Sequence, residues 1–417
     1  CENNPPYRGP NWKCGQEASF RVMHLAMAAL LLDQVSDSTS GLIELVHLHM
    51  QRIAPTIQYA VGQDNNHGTS EAAALFMGGS WLAVHGSAQG KEWQQTGRKW
   101  LENRCARLIG EDGGFSQYSL NYHRLLLDTL SMTELWRRHL VVPEFSQQFY
   151  GRATAATHWL YEMISPDSGA GPNVGPNDGA RLLQLSNTSY RDYRPTVQLA
   201  MALFTKQQAY PKEGPWNDTL RWLGVPLPGA HASRPNSSVA NDCGFAVLRH
   251  GAAMAMLRYP RFRFRPSHAD ALHLDLWLNG ENLLCDDGSY SYHAEPKCLQ
   301  YFGGTASHNT VQFDDRDQMP RLGRFLFGDW LRTSFLQPLE QSDQAVQFAA
   351  GYRDRAAVAA RLQMQSDAAI VAEIRSDRIR MVTVRARLEK HCLRQPGSEP
   401  CRNAPAPALP QTRKDEL

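Results

Sequence analysis

The sequence has no strong charge bias, no long apolar run and no paired cysteines. Its 417 residues carry a formal net charge of +2, so no global field favours nucleic acid or a membrane surface as a partner. No run approaches the roughly 18 or more apolar residues of a membrane span. The eight cysteines are scattered without a C-x-x-C pair, which argues against a zinc knuckle. No charged-then-apolar leader can be read at the start, and no motif predicts an organic cofactor.

Length and residue pattern predict two structured domains. With 42% hydrophobic and 20% charged residues, the composition is that of a globular protein, and the length suits two cores. Apolar residues follow a helical period up to about residue 235. Beyond a Pro-, Gly-, Ser- and Asn-rich stretch at 226–241, the period changes to two. We therefore predict a helical domain at 1–235, an antiparallel β domain at 236–375, built as a two-layer sandwich, and an irregular tail at 376–417.

Short connections between the predicted helices favour antiparallel neighbours. The helices are predicted at 18–34, 42–61, 70–85, 91–109, 120–140, 145–164, 196–210 and 216–223. Pro55 is expected to end or kink the second of them. Strands are predicted at 245–250, 252–259, 272–278, 310–313, 344–350 and 368–373, with a hairpin turn at Asn279 and Gly280.

The stretch GQDNNHGTSEAAALF, residues 62–76, is the first candidate for chemistry. We expect its alanine-rich helix to begin near Ser70 with Thr69 or Ser70 as the cap. Asn65, Asn66 and His67 would then be surplus to capping and would lie at the positive end of a helix, which suits a substrate carboxylate. The plainer interpretation is a polar loop with one capping Asn and a surface His.

The stretch SQYSLNYHRLLLD, residues 116–128, opens the longest predicted helix after a glycine-rich loop. Tyr122 and His123 lie in its first turn, either as functional groups or as a buried tyrosine and a solvated histidine. For Tyr122 to act as a base near neutrality, positive charge must lower its pKa. His67, His123 and Arg124 are the candidates nearest in sequence.

Two further groups come from the long loop at 166–195 and from the β half. Amide, carboxylate and guanidinium groups on the loop suit sugar hydroxyls and a uronate, although turns use the same residue types; these are Asn173, Asn177, Asp178, Asp192 and Arg194. In the β half, His268, Asp286 or Asp287, and His308 come from strands or strand ends. Two imidazoles and a carboxylate are consistent with a zinc or manganese site, or with a hydrogen-bonded network without metal.

Three stretches together resemble the heparinase II/III-like family of polysaccharide lyases: NNHGTSEAAALF, NYHRLLLD, and HADALHLDLW with LLCDDGSYSY and HNTV. The resemblance implies an incomplete (α/α) toroid followed by an antiparallel β-sandwich, and a periplasmic or secreted location. It implies β-elimination on uronate-containing polysaccharides such as heparan sulfate or alginate. One departure is Pro266, where family lyases often carry a histidine, and the helical half is short for a full toroid.

The resemblance also implies a role for individual residues. Asn66 would be the carboxylate-neutralising amide, His67 the catalytic histidine and Tyr122 the catalytic tyrosine. The structural metal would be held by His268, Asp286 and His308. We expect substrate contacts from the neighbouring polar groups, namely Asn65, His123, Arg124, Asn177, Asp178 and Arg194.

The functional hypothesis is a lyase that acts on an acidic polysaccharide. Asn66, helped by Arg194, would neutralise the uronate carboxylate; His67 or Tyr122 would remove the C5 proton, and Tyr122 would protonate the departing oxygen. A glycoside hydrolase is the main alternative and would need two carboxylates, for which Glu71, Asp112 and Asp178 are candidates. A non-catalytic protein that binds acidic glycans is the other.

Overall fold

The computed structural model describes residues 4–233, 235–354, 366–375, 379–382 and 387–388. Within these residues, helices occupy the first half and antiparallel sheets follow. The predicted fold class is confirmed: a helical array, an incomplete toroid, precedes an antiparallel β part. In the described part of the chain, none of the helices combines the length and apolar character needed to cross a bilayer. The exact domain bounds stay predictions.

The helical half contains most of the helices predicted from periodicity. They are α1 Gly15–Leu31, α2 Ser40–Ile53, α3 Ile57–Gly62, α4 Asn66–Val84, α5 Ala88–Leu108, α6 Leu120–His139, α7 Gln147–Met163, α8 Arg194–Ala200 and α9 Asp218–Trp222. The predicted break at Pro55 is confirmed, because a 3-10 turn at Ala54–Thr56 separates α2 from α3. Proline lacks the N–H that would continue the α-helical ladder.

Two helices, α4 and α6, lie at the centre of this half and are buried along nearly their whole length. A Cβ at Gly97 of α5 would collide with the backbone at Phe76 of α4, so the two helices pack with their backbones in close approach. Trp136 of α6 donates its indole N–H to the Ser80 hydroxyl of α4 across 2.9 Å. The starts of α4 and α6 are therefore held by a rigid core.

In the part of the β half that the structure describes, there are two five-stranded sheets. The first runs β3 Ser238–Ala240, β4 Phe245–His250, β5 Ala253–Arg258, β6 Leu274–Leu278 and β7 Glu281–Leu284, each pairing antiparallel with the next. The second consists of β10 Thr333–Gln341, β11 Ala345–Asp354, β12 Ser366–Arg375 and β13 Ile379–Val382, with β14 Arg387–Leu388 also pairing β12. Buried side chains of both sheets, such as Leu257 and Phe348, share one core.

Smaller elements connect these parts. A parallel pair is formed by β1 Gln207–Gln208 and β2 Ala230–His231, and an antiparallel pair by β8 Arg321–Gly323 and β9 Leu326–Phe327. A short helix, α10, covers Pro296–Gly303 between the two large sheets in sequence.

The strand predictions hold for the first hairpin and fail at two places. The β4–β5 hairpin is confirmed, and so is the turn after β6, where Asn279 and Gly280 have φ of 52° and 81°. The strand predicted at 310–313 is wrong, since the Gln318 side chain donates to the Val311 carbonyl across 3.0 Å and replaces a partner strand there. The tail predicted as irregular contains β13 and β14; the rest of it lies outside the described residues.

Candidate active site

A cleft of about 320 Å³ lies where the starts of α4 and α6 meet loops of the β half. The helical half contributes Asn66, His67 and Tyr122, and the β half contributes Arg265 and Tyr292. The structure therefore brings together all three residues that the sequence analysis assigned to catalysis. They come from two helix starts that the packing of α4 against α6 holds in place.

The start of α4 differs from the prediction. The helix begins at Asn66 and not near Ser70, and Asn65 is its cap: the Asn65 side-chain oxygen accepts the His67 N–H across 3.0 Å. The expectation that Asn65 is surplus to capping is therefore wrong, although Asn65 still lines the cleft. The Asn66 N–H donates to the Gln117 side chain across 2.9 Å. This leaves the Asn66 carboxamide, which is 6% exposed, without a hydrogen bond to any described residue.

His67 is oriented by a carboxylate one turn further along α4. Its Nδ1 lies 3.3 Å from Oε1 of Glu71, which is buried. Because a carboxylate only accepts, the neutral imidazole carries its proton on Nδ1 and keeps the lone pair on Nε2. The geometry thus supplies an imidazole that is able to take a proton.

Tyr122 is held at the bottom of the cleft by two oxygen partners. Its hydroxyl donates to Oδ2 of Asp178 across 3.0 Å and lies 3.2 Å from the Tyr292 hydroxyl. Burial raises the pKa of Tyr122 well above its usual value, and Tyr292 and Asp178 raise it further. The condition for Tyr122 to act as a base, a pKa lowered by neighbouring positive charge, is therefore not met, and the tyrosine keeps its proton.

His123 and Arg124 do not reach the cleft, because successive helical residues point about 100° apart. His123 is fully buried; its Nε2 lies 2.7 Å from the Ala156 carbonyl and its ring stacks on Trp159. Burial lowers the pKa of His123 to about 4. Arg124 is 1% exposed, donates to Asn121 and stacks on two tyrosine rings. Both side chains therefore make structural contacts where substrate contacts were predicted.

The long loop at 166–195 places some of its predicted residues at the cleft and others away from it. Asp178 lines the cleft and also a neighbouring cavity of about 610 Å³, which Asn177 and Tyr190 line as well. Since Tyr292 also lines both cavities, they adjoin. Arg194 forms an ion pair with Asp192 at 2.8 Å and does not line either cavity.

A cluster of buried imidazole and carboxylate groups lies behind the cleft. Candidate ligand atoms of His268, Asp286 and His308 lie within 4.8 Å of one another. Nδ1 of His308 is 3.0 Å from Oδ2 of Asp286. The sequence analysis did not single out His273, whose Nε2 lies 3.5 Å from Oδ2 of Asp286. Nδ1 of His273 accepts the Asn309 N–H, and this bond orients the ring.

This cluster fits a divalent metal. Among the described residues, the buried Nδ1 of His268 and Nε2 of His308 have no hydrogen-bond partner, which is costly unless a ligand satisfies them. Burial, with the neighbouring His308, lowers the pKa of His268 to about 3 and keeps it neutral, as a metal ligand must be. Nitrogen and oxygen donors of this kind suit zinc or manganese.

Comparison with known proteins agrees with the motifs. Residues 7–204 match the family model described as heparinase II/III N-terminus, and residues 232–369 match the one described as heparinase II/III-like, C-terminal. The chain belongs to the heparinase II/III-like family. The resemblance stated from the sequence is thereby confirmed.

Solved structures share the fold of this heparinase II/III-like chain. A heparinase III matches with 16% identity and a TM-score of 0.59, over 89% of this chain and 55% of that one. The heparan sulfate lyase HepC from Pedobacter heparinus matches with 17% identity and a TM-score of 0.54, over 86% and 52%. A lysine-methylated heparinase III matches with 17% identity and a TM-score of 0.58, over 89% of this chain and 56% of that one. The chain spans little more than half the length of these structures. A search of curated proteins found no match.

Arg265 and Tyr292 are candidate functional residues of the cleft that the sequence analysis missed. Arg265 directly precedes Pro266, the position where the family often has a histidine, and its exposed guanidinium forms no ion pair with a described residue. Tyr292 ends the SYSY stretch, and its pKa is raised by burial. Their closeness in sequence to the histidine and aspartate motifs was the only signal available.

Proposed function

We propose that this heparinase II/III-like chain is a polysaccharide lyase that cleaves a uronate-containing acidic polysaccharide by β-elimination. The observation that carries the proposal is the meeting of Asn66, His67 and Tyr122 in one cleft. Elimination needs a group that neutralises the uronate carboxylate, a base for the C5 proton and an acid for the departing O4. The three side chains have these three chemical capacities.

Asn66 is the proposed carboxylate clamp. Its carboxamide is free to donate, and it lies in the first turn of α4, where the helix dipole favours negative charge. When the C5 proton leaves, charge moves onto the carboxylate, and a fixed donor stabilises that charge more than it stabilises the ground state. The guanidinium of Arg265, which lines the same cleft, adds a positive charge suited to this anion.

His67 is the proposed base. Glu71 holds the proton on Nδ1, so Nε2 presents its lone pair for the C5 proton. The same carboxylate would stabilise the imidazolium that forms, as an aspartate does in a hydrolase triad. At 28% exposure the His67 side chain is reachable by a substrate.

Tyr122 is the proposed acid. Burial and the nearby Asp178 carboxylate both disfavour its phenolate, so the hydroxyl is protonated throughout the neutral range. The hydroxyl lines the cleft with its proton in place, and the departing O4 is the group that would accept this proton. The Tyr292 hydroxyl, 3.2 Å from the Tyr122 hydroxyl, would offer the departing O4 a second hydrogen-bond donor.

A metal at the His268, Asp286 and His308 cluster would support the cleft. A metal bound to His268, Asp286 and His308 would supply a fixed charge that holds these three side chains together. The loop that carries Asp286 continues through Ser289 to Tyr292. The Ser289 hydroxyl lies 3.1 Å from Nε2 of His268 and accepts the Asn177 N–H. These contacts favour a positioning role for the cluster over a role in the reaction.

The carboxylates at the cleft do not favour hydrolysis. A hydrolase needs one protonated carboxyl group and a second carboxylate. Of the two aspartates that line the cleft, Asp64 is bound by Arg107 and Arg104, and hydrogen bonding to Arg107 lowers its pKa. A carboxylate held in its charged form is a poor general acid, so the lyase reaction is the better supported one.

The decisive experiment incubates the chain with a panel of uronate polysaccharides, including heparan sulfate and alginate. A lyase creates a double bond at C4–C5 and therefore an ultraviolet absorbance in the product. Reducing ends without this absorbance would identify a hydrolase, and binding without either signal would identify a glycan-binding protein. Either of these results would refute the proposed reaction.

A further inference from the structure

A second cavity, of about 830 Å³, lies on the β half beside the segment that leads to Arg265. Its lining includes three exposed arginines, Arg261, Arg263 and Arg332, and the indole of Trp330. We call these four residues the arginine groove. Neither the metal cluster nor the three proposed catalytic residues line it.

The sequence of the segment explains how the arginines come to the surface. In RFRFRP, residues 261–266, the rings of Phe262 and Phe264 pack against the helical core, and the alternate arginines are exposed. The buried Tyr118 hydroxyl accepts the backbone N–H groups of Arg263 and Phe264 across 2.9 and 3.0 Å. The segment is therefore fixed in place by the helical half.

Positive charges outnumber negative charges in the groove. Arg261 and Arg332 face each other in an antiparallel bridge, an arrangement that is destabilising for like charges. None of the three arginines forms an ion pair with a described residue. Asp242 and Asp329 also line the cavity, so its arginines exceed its acidic residues by one, and Asp242 accepts the Glu111 N–H across 2.8 Å. Keeping repelling charges together at a cost in stability indicates an anionic ligand.

Trp330 adds a flat apolar surface to these charges. Its ring is 38% exposed, and its indole N–H donates to the Phe327 carbonyl across 2.7 Å, which fixes the ring. An immobilised aromatic face can pack against the C–H face of a sugar ring at a low entropic cost. Guanidinium groups match carboxylates and sulfates with paired N–H donors. Together they suit an acidic sugar better than a simple anion.

One chain segment links the groove to the candidate active site. Arg263 lines the groove and Arg265, two residues later, lines the cleft with Asn66 and Tyr122. Four residues span at most ~14 Å, so Arg261 lies within a few sugar units of Arg265. We propose that the arginine groove binds the acidic polysaccharide beyond the point of cleavage. That the bound polysaccharide is also cleaved rests on the proposed function. That the groove binds it does not.

The test compares the triple variant R261Q/R263Q/R332Q with R8Q, an exposed arginine outside the groove that forms no ion pair with a described residue. We expect the KM for a long polymer to rise by about tenfold or more in the triple variant, with kcat unchanged, since the contact is the same in ground and transition states. Cleavage of a tetrasaccharide, which reaches fewer of the three arginines, should be impaired much less than cleavage of the polymer.

Binding to immobilised heparin provides a readout that does not need turnover. The triple variant should elute at lower salt, with a slope of log K against log salt reduced by roughly one per arginine, as for phosphate contacts on nucleic acids. R8Q should elute with wild type. If the triple variant melts below R8Q, the three single variants repeat both assays.

The outcomes separate the two proposals. If wild type cuts no polymer but heparin binding depends on the arginines, the proposed function is refuted and the proposal of polysaccharide binding in the groove is supported. Unchanged heparin elution and unchanged polymer kinetics in the triple variant would overturn the proposal that the groove binds polysaccharide. So would an equal loss on polymer and tetrasaccharide. Equally tight, arginine-dependent binding of duplex DNA would show that charge alone is recognised and would also overturn it.

Discussion

The hydroxyl of Tyr122 donates a hydrogen bond to the carboxylate of Asp178 across 3.0 Å. Tyr122 lies in the first turn of α6, whereas Asp178 lies on the long loop between α7 and α8. The pairing therefore depends on how that loop folds over the helix start. Its chemical effect is to keep the proton on the tyrosine, which is what a general acid requires.

Replacing Tyr122 by phenylalanine should remove the proton donor and leave the fold intact. We expect turnover, followed by the absorbance of the unsaturated product, to fall by about 10²- to 10⁴-fold. The matched control is Tyr150→Phe, which removes a hydroxyl bonded to Glu134 at 3.0 Å and should leave turnover unchanged. Wild-type turnover in Tyr122→Phe would exclude the acid role.

Replacing Asp178 by asparagine should shift the pH dependence of kcat. After burial and Tyr292, the Asp178 charge is a further cause of the raised pKa of Tyr122, so its removal lowers that pKa. For an acid, the alkaline limb of the profile then moves to lower pH. If Tyr122 instead served as the base, the same change would increase the rate near neutrality, and the two roles are thereby distinguished.

Adjacent asparagines at the start of α4 should differ in effect. Asn66→Ala removes the proposed clamp and should lower kcat by about 10²- to 10³-fold, the usual loss for one oxyanion donor. Asn65→Ala removes the helix cap and should cost about 0.5–2 kcal/mol of stability, measured by denaturant unfolding. A reversed pattern, with turnover lost mainly in Asn65→Ala, would contradict the assignment.

His123 should affect stability in acid rather than catalysis. Its pKa is lowered from 6.5 to about 4 by burial, so the unfolded chain binds this proton first as pH falls. Stability from the neutral imidazole is present above pH 6.5 and is lost toward pH 4, by roughly 3 kcal/mol.

Phenylalanine at position 123 keeps a ring against Trp159 and cannot be protonated. We expect His123→Phe to be less stable than wild type by about 1 kcal/mol at pH 7, because the bond to Ala156 is lost. The difference should shrink or reverse toward pH 4 in urea unfolding. A stability difference that does not change with pH would refute a contribution from His123 protonation. A large loss of kcat would show that His123 has a role in the reaction.

Removal of metal should destabilise the β half. We expect chelation to lower the melting temperature, because the ligand atoms of His268 and His308 become unsatisfied, and activity to fall with it. Asp286→Asn should reduce the metal content measured by elemental analysis. Lost activity with unchanged melting would contradict a structural role for the metal.

The sequence was sufficient for the fold class, and it singled out three residues that line one cleft. Period changes separate helices from strands, and the motifs around Asn66 and Tyr122 fall at helix starts. The start of α4 was misplaced because Asn65 and Thr69 are both acceptable caps. Which of them is used depends on Gln117, 51 residues away in sequence, which binds the Asn66 N–H.

The remaining site residues depend on three-dimensional placement that local pattern does not encode. His123 and Arg124 are neighbours of Tyr122 in sequence but point into the core, where Trp159 and Tyr190 contact them. Arg265 and Tyr292 reach the cleft only because separate loops of the β half end there. Arg194 has an acidic partner two residues away that sequence reasoning did not pair with it.

The loop between α5 and α6 has one more consequence. Gln117 binds the start of α4, while the next residue, Tyr118, binds the backbone of the arginine segment. The backbone at Asn66 and the backbone at Arg263 are therefore hydrogen bonded to two consecutive residues. These bonds fix the distance between the proposed carboxylate clamp and the arginine groove. A polymer held at both points would be cut at a set number of sugars from the place where it is held.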